Sequence, residues 1–377
     1  MTNWISWLNA QKRNTIHALL PLGYNDGMLS RFIGARALGK LRGAEANRMM
    51  NNSMARPAVS VLVPTYNVER YLAQCLDSLC GQTLENIEII CINDGATDGS
   101  PAILRSYADR DSRIAIIDKE NSGYGASLNR GIGEARGEYI AIAEPDDFAE
   151  RTMYATMYEL AERHDCDLVK SNFYEYADGR NRKNRNLREF PAKTPFDPAD
   201  HPSIICTIPS IWTGLYRSDM LRREGISFRE TPGAAFQDTS FVLKAWFAAR
   251  RCALVRKPLL HYRMDNPSSS VKTSDRIYVV CDELAESERF LRERPERCEL
   301  FIPWFHADKW GKYRWNYERI DPSFHEEFAA RMHEEYARTR EAGELVRNCF
   351  SDRDWQAVMS LLDQGAAAFA ARNAETF

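Results

Sequence analysis

Between residues 58 and 142 the chain alternates two hydrophobic patterns. Short apolar, β-branched runs at 58–63, 87–92, 113–117 and 138–142 read as buried strands. Between them, apolar residues recur at helical spacing: Val68, Tyr71, Leu72, Cys75, Leu76 and Leu79, then Ile103, Leu104 and Tyr107, then Leu128, Ile132 and Ala135. Pro64 is expected to stop the first strand. Regular βα alternation predicts an α/β fold, a mostly parallel sheet with helices on both faces. Open sheets of this kind place ligands outside the C-terminal ends of their strands. Each of the four strands runs there into a polar turn, so that edge is the expected site.

Further on, Met153, Met157 and Leu160 mark a helix expected to open around Glu150, and 167–171 reads as another strand. Residues 178–200 are basic, then Pro-rich, with little periodicity, and read as a surface loop near the acceptor side. A helix is expected over 241–248, with a mobile loop at 266–270 able to close over a donor. From about residue 275 the pattern is helical and amphipathic, through Ile277, Val280, Leu284, Phe290 and Leu291. An aromatic-rich segment follows (Trp304, Phe305, Trp310, Tyr313, Trp315 and Tyr317), then helices over 323–372. The expected units are a basic helical extension (1–56), the α/β domain (57–272) and a C-terminal helical domain (273–377).

Composition narrows the setting. At 377 residues, 44% hydrophobic and 27% charged, the chain can bury a sizeable core. No apolar run approaches the roughly 20 residues of a membrane-spanning helix. The first residues lack the apolar core and cleavage site of a secretory signal. Nine cysteines are scattered without CxxC pairs; Cys75, Cys80 and Cys91 read as buried free thiols, which suits a reducing, cytoplasmic setting. Residues 1–56 hold eight Lys or Arg against two Asp or Glu, with Trp4, Ile5, Trp7 and Leu8 among them. They read as a small helical cap or as a peripheral contact with the anionic inner membrane surface. No basic face with interleaved aromatics follows, so a nucleic-acid partner is not expected.

The candidate chemistry lies in the turns. Glu144, Asp146 and Asp147 follow the fourth strand, and carboxylates so crowded repel unless a cation joins them. Oxygen ligands of this kind suit Mg²⁺ or Mn²⁺; the alternative is an acidic turn that caps the next helix. Tyr66 offers a ring to a nucleobase, or is a core aromatic, and Thr65 and Asn67 offer hydrogen bonds. Asp94 can accept from a ribose hydroxyl, or is a plain Asp-Gly turn. Asn121 opens a turn in which Gly123 and Gly125 permit a ligand to approach the backbone at a helix N-terminus, which favours an anion. Neither a Walker A motif nor a G-x-G-x-x-G fingerprint is present. Trp212 can stack on a pyranose or pack in the core. His261 can complete a metal shell or be structural, and Arg263 can bind a diphosphate.

Together the stretches VSVLVPTYN, IICINDGATDGS, ENSGYGASLNRGI and ARGEYIAIAEPDDF, with Gln237-Asp238 downstream, resemble the family 2 glycosyltransferases over about residues 57–265. The resemblance implies a GT-A fold, a nucleotide-sugar donor (UDP the expected nucleotide), a divalent cation and inversion at the anomeric carbon. It implies a nucleoside pocket of Thr65, Tyr66, Asn67 and Asp94, a metal-binding Asp146 and a general base at Asp238. It also implies an acceptor side that includes Trp212 and Gln237, for a saccharide or lipid-linked acceptor in bacterial surface-polysaccharide assembly. The chain departs from the family at Glu144, where Asp is usual, and at Gln237, where Glu is usual. Those departures keep open a catalytically inactive sugar- or nucleotide-binding scaffold. A sugar nucleotidyltransferase is the remaining alternative; it calls for a Gly-rich, basic first loop where this chain has Pro-Thr-Tyr-Asn.

Overall fold

The computed structural model describes residues 56–267 and 276–374. The expected basic extension therefore lies outside the described residues save Arg56, and the expected 266–270 loop is described only to Pro267. The first half follows the hydrophobic pattern: β1 (Val59–Thr65), α1 (Glu69–Cys80), β2 (Ile87–Asp94), α2 (Ser100–Ala108), β3 (Ile114–Lys119), α3 (Tyr124–Glu134) and β4 (Tyr139–Ile142). Every residue of β1, β2 and β4 is buried, which is why they read as continuous apolar runs rather than alternating ones. α1 turns Leu72, Cys75, Leu76 and Leu79 inward, one face of a 3.6-residue period. Pro64 does not stop β1. The strand runs on to Thr65 because β4 ends opposite Leu62, and beyond that point β1 pairs with β2 alone. A residue without an N–H is tolerated where one side needs no ladder.

The second half departs from a purely parallel sheet. After β5 (Phe148–Ala149) and α4 (Met153–His164) come β6 (Leu168–Ala177), β7 (Arg180–Lys183), β8 (Gly214–Arg217), α5 (Ser218–Arg223), α6 (Gln237–Ala248) and β9 (Cys252–Arg263). The sheet order is β3-β2-β1-β4-β8-β6-β9-β5, with β7 paired to β6. The β1–β2, β1–β4, β2–β3 and β6–β9 pairs are parallel, whereas β8 runs antiparallel to both β4 and β6. β8, with four residues, is too short to show a period. β7 replaces part of the loop expected over 178–200. Its residues are all exposed, so no alternation marks it. Its signal was the Asp178-Gly179 turn, with both residues at positive φ (51° and 74°), the geometry of a tight hairpin.

The C-terminal region is helical, as its pattern predicts: α7 (Val279–Arg292), α8 (Pro295–Tyr317), α9 (His325–Glu341), α10 (Asp352–Gln364) and α11 (Ala366–Ala374). α7 lies against α6. α8 is tied to α6 by Arg297, a side chain only 3% exposed. Its guanidinium donates to the Phe247 carbonyl at 2.9 Å and the Ala249 carbonyl at 2.7 Å, and pairs with Asp197 at 2.5 Å. Those carbonyls belong to the C-terminal end of α6, where a helix leaves acceptors unpaired. None of the nine cysteines forms a disulfide, and no described helix is long and apolar enough to cross a membrane. Arg297→Leu leaves Asp197 and two carbonyls without their partner. It is expected to destabilise the protein by about 3 kcal/mol or more, seen as a fall of several degrees in the unfolding midpoint; an unchanged midpoint refutes this role.

Candidate active site

The first two turns are stitched together. Asn67, at φ 49°, accepts the Thr97 N–H on its Oδ1 at 2.8 Å. Thr65 is buried and donates to the Val63 carbonyl at 3.2 Å, while Tyr66 is 49% exposed, the open aromatic of the group. Asp94 accepts from the backbone N–H groups of Ser122 and Gly123 at 2.9 and 3.0 Å and pairs with Lys119. It braces the third turn, beside Asn121, rather than pointing free into solvent.

The structure corrects the reading of the two glycines. The backbone that approaches them is the chain's own. A Cβ at Gly123 would lie 2.7 Å from the Thr231 carbonyl oxygen, and one at Gly125 only 2.1 Å from that of Arg229. The 229–233 segment therefore covers the N-terminus of α3, with the Tyr124 N–H bonded to the Gly233 carbonyl.

Four carboxylates converge beyond the end of β4. Glu144 accepts from the Tyr124 hydroxyl. Burial, then the nearby charges of Asp146 and Asp238, push its pKa from the ordinary 4.5 up to about 8. Asp146 accepts from the Asn266 amide at 2.8 Å on Oδ2. Asp147 is 2% exposed; its Oδ1 takes the Arg263 N–H at 2.8 Å and its Oδ2 is buried without a partner. Burial and the Asp146 charge hold it well above the usual carboxylate range. Asp238, at the start of α6, is also pushed up by burial, opposed by the Thr239 N–H and by Lys312 and Lys170. Tyr262 lies within electrostatic reach of all four, and burial with those charges raises its phenol to about 12. The orphaned Asp147 oxygen, with half-buried Glu144 and Asp146, offers the oxygen chemistry that a hard divalent cation takes, although no three ligand atoms of this group lie within 4.8 Å of one another. Asp146 and Glu144 are the residues able to share it.

Other expected site residues are committed elsewhere. Both ring nitrogens of His261 have partners, Asn181 at 2.8 Å and Glu150 at 3.1 Å, and the ring is stacked against Phe148 and Tyr174. Neither nitrogen is left for the metal shell expected of it. Arg263 is a clamp: its guanidinium donates to the Asp146 carbonyl at 2.8 Å and to Gln74 at 2.6 Å, over the ring of Tyr71. With 8% of its side chain exposed, it holds the acidic turn in place of the diphosphate expected. Trp212 is buried, stacked on Tyr262 at 4.8 Å and edge-on to Phe173 at 4.6 Å, so it packs the core behind the site. Gln237 is buried and turned back on its own loop, accepting from the Ala235 N–H and donating to the Thr231 hydroxyl. It does not reach outward to an acceptor. Phe236, at φ 61°, takes the capping position of α6, and Asp238 lies in its first turn.

The sequence reading gave no site role to Tyr124, Tyr262 or Lys170, and placed Asn266 only in a loop over the donor. Tyr124 stood in the quoted Gly-Tyr-Gly stretch and Tyr262 beside His261. Lys170 is 1% exposed, donates to the Ser210 carbonyl at 2.8 Å and is lowered by burial to about 7. Nothing local marks a lysine on a strand as buried.

Residues 60–232 match the family model described as glycosyl transferase family 2. The uncharacterised glycosyltransferase EpsJ of Bacillus subtilis strain 168 is 37% identical over 220 residues, 56% of this chain and 62% of that protein. The cholesterol galactosyltransferase of Borreliella burgdorferi is 29% identical over 235 residues, 59% of this chain and 65% of that protein. The chain thus spans under two thirds of the length of these relatives. Among solved structures, S. aureus TarS residues 1–349 in complex with UDP-GlcNAc superposes with a TM-score of 0.54 at 18% identity. It covers 81% of this chain and 91% of that one, a likeness of fold.

Two predictions arise from this geometry. Gly125→Ala forces backbone apart and is expected to cost about 1–3 kcal/mol. Gly133→Ala, on the same helix with nothing within 4 Å, is expected to be neutral or to stabilise by up to about 1 kcal/mol. Equal unfolding midpoints for the two variants would contradict the close approach. The second concerns Glu144. Its folded pKa lies above the unfolded one, so its contribution to stability is complete below about pH 4.5 and is lost as pH rises through about 8. In chelator, Glu144→Gln is expected to flatten the decline of stability over that window. Asp147 and Asp238 leave a residual slope of the same sign. A variant whose stability falls as steeply as the wild type's removes Glu144 as a source.

Proposed function

Residues 60–232 match glycosyl transferase family 2, and on that premise we propose that the chain transfers a sugar from a nucleoside-diphosphate donor to an acceptor hydroxyl, with inversion and with a divalent cation. The observation that carries this reading is the convergence of Glu144, Asp146 and Asp147 with Asp238, which arrive from β4 and α6 at one sheet edge. Tyr66, the exposed aromatic of the first turn, is the platform for the base. UDP is the nucleotide the family resemblance implies, and TarS, of the same fold, was solved with UDP-GlcNAc.

A cation held by Asp146 with Glu144 would neutralise charge on the departing diphosphate. Tyr124 fixes Glu144 by its hydrogen bond, while Arg263 and Asn266 fix the turn that carries Asp146. Asp238 accepts the proton of the acceptor hydroxyl. The new bond forms between that oxygen and the anomeric carbon as the bond to the diphosphate oxygen breaks on the opposite face. Burial raises the Asp238 carboxyl toward neutrality, the direction that strengthens a base. The acceptor is a saccharide or a lipid-linked hydroxyl; the name of the Borreliella relative gives a lipid acceptor for that protein. The setting proposed is polysaccharide or glycoconjugate synthesis in the cytoplasm or at the inner membrane surface.

Thermal unfolding with UDP, GDP, CDP and dTDP, each with and without Mn²⁺, tests donor and metal together. A nucleotide at about 100 times its dissociation constant adds roughly 2.7 kcal/mol, and the stabilisation is expected with UDP and Mn²⁺ and lost in Asp146→Ala. Asp238→Asn is expected to keep that stabilisation while transfer falls by about 10²-fold or more. Near-normal transfer by Asp238→Asn refutes the base. Stabilisation by UDP in a protein that transfers nothing from any UDP-sugar replaces the enzyme by the scaffold.

A further inference from the structure

The turn that leaves β6 opens a run of positive charge. Residues 179–188 hold five Lys or Arg and no Asp or Glu, and all five cations are exposed. β7, which carries three of them, pairs with β6 and with no other described strand, so long side chains from both its faces can reach past a free edge. Arg182 is paired with Glu175 and Arg188 with Glu189. Arg180, Lys183 and Arg185 have no ion pair among the described residues. Asp178 at the turn offsets one charge, while Asp265 is taken by the Asp178 N–H at 3.1 Å and by Arg263 at 3.5 Å. Charges on an edge strand commonly do no more than keep another strand from pairing there. Two features exceed that reading. Arg185 and Arg188 lie beyond the end of β7, and the run has an exposed apolar side chain at each end. Met264, 55% exposed, donates its N–H to the Tyr176 carbonyl at 2.8 Å, beside the hairpin turn. Ile208, 44% exposed, donates its N–H to Asn186 Oδ1 at 3.2 Å.

We propose that this hairpin is a docking surface for an anionic lipid bilayer, with its cations on the headgroup phosphates and Met264 and Ile208 at the acyl boundary. Cations alone suit any polyanion; the apolar pair selects a surface with hydrocarbon beneath its charge. The hairpin adjoins the candidate active site. Arg263 and Asn266, on either side of Met264, hold the acidic turn through the Asp146 carbonyl and carboxylate. Asn181 of β7 meets His261 at 2.8 Å, on the strand that ends in Arg263. Docked this way, the protein holds its acidic turn beside the bilayer, where a lipid-borne acceptor resides. That purpose rests on the glycosyl-transfer reading; the docking itself does not.

Co-sedimentation of the full chain with vesicles tests the surface without any assay of transfer. Binding is expected with vesicles that mix phosphatidylglycerol into phosphatidylcholine, absent with phosphatidylcholine alone, and weakened by salt. Arg180→Ser, Lys183→Ser and Arg185→Ser together are expected to weaken it about 10²-fold. The control removes equal charge elsewhere: Arg105→Ser, Arg163→Ser and Arg338→Ser, at side chains 61%, 60% and 63% exposed, are expected to leave binding near the wild-type value. Met264→Ser with Ile208→Ser is expected to weaken binding about tenfold with an unchanged salt dependence. All these positions are exposed, so the unfolding midpoints are expected to stay at the wild-type value. Residues 1–56 are intact in every variant, so binding that the hairpin triple variant keeps in full belongs to another surface and overturns the proposal. A wild type that binds no vesicle overturns it, as does a control variant as impaired as the hairpin one. A Met264→Ser/Ile208→Ser variant that binds undiminished also overturns it, and leaves a soluble polyanion as the partner of the hairpin. A protein that docks but transfers no sugar defeats only the functional reading.

Discussion

Carboxylates gathered at a half-buried sheet edge repel one another, and most of the site's architecture answers that repulsion. Arg263 reaches back from the end of β9 to the acidic turn, with its backbone N–H on Asp147 and its guanidinium on the Asp146 carbonyl. Its planar fork sits over Tyr71 and near Tyr176, so the clamp is held by packing as well as charge. Asn266 adds a neutral donor to Asp146 and Tyr124 another to Glu144. These bonds orient the carboxylates without cancelling their charge. A site arranged this way keeps its negative charge in fixed positions rather than neutralising it.

The environments of the carboxylates differ. Glu144 lies within reach of both Asp146 and Asp238 and is buried enough to stand near 8. Asp238 carries the same burial effect, opposed by the Thr239 N–H and by the charges of Lys312 and Lys170. Two groups of one chemical kind thus sit in different electrostatic surroundings.

The turns around this edge support one another. Asp94 grips the third turn, Asn67 grips the second, and the 229–233 segment lies on the two glycines of α3. Each of these residues carries a polar or conformational signal that an isolated motif assigns to ligand contact. Chain-to-chain bracing uses the same chemistry, because a backbone carbonyl approaches a Cβ-free position as readily as a phosphate does.

How much of this was written in the sequence follows from the range of each interaction. The strands β1 to β4 and their helices are local: apolar periodicity marks them, and burial on both faces leaves little choice of partner. The acidic turn, too, was legible as a run of neighbouring residues at a strand end. The antiparallel entry of β8, the exposed hairpin strand β7, and the commitment of His261, Trp212 and Gln237 to packing were not. Each depends on what lies opposite in space, and His261 bonds to Asn181 and Glu150 from other elements. The contact of Trp315 with Phe236 spans 79 positions and joins α8 to the turn before α6. The sequence alone determined the order of elements and where their polar turns emerge, since those depend on neighbours along the chain. Which side chains remain free for chemistry was decided only in the tertiary structure, because a hydrogen bond or a desolvated charge belongs to the pair of groups that packing brings together.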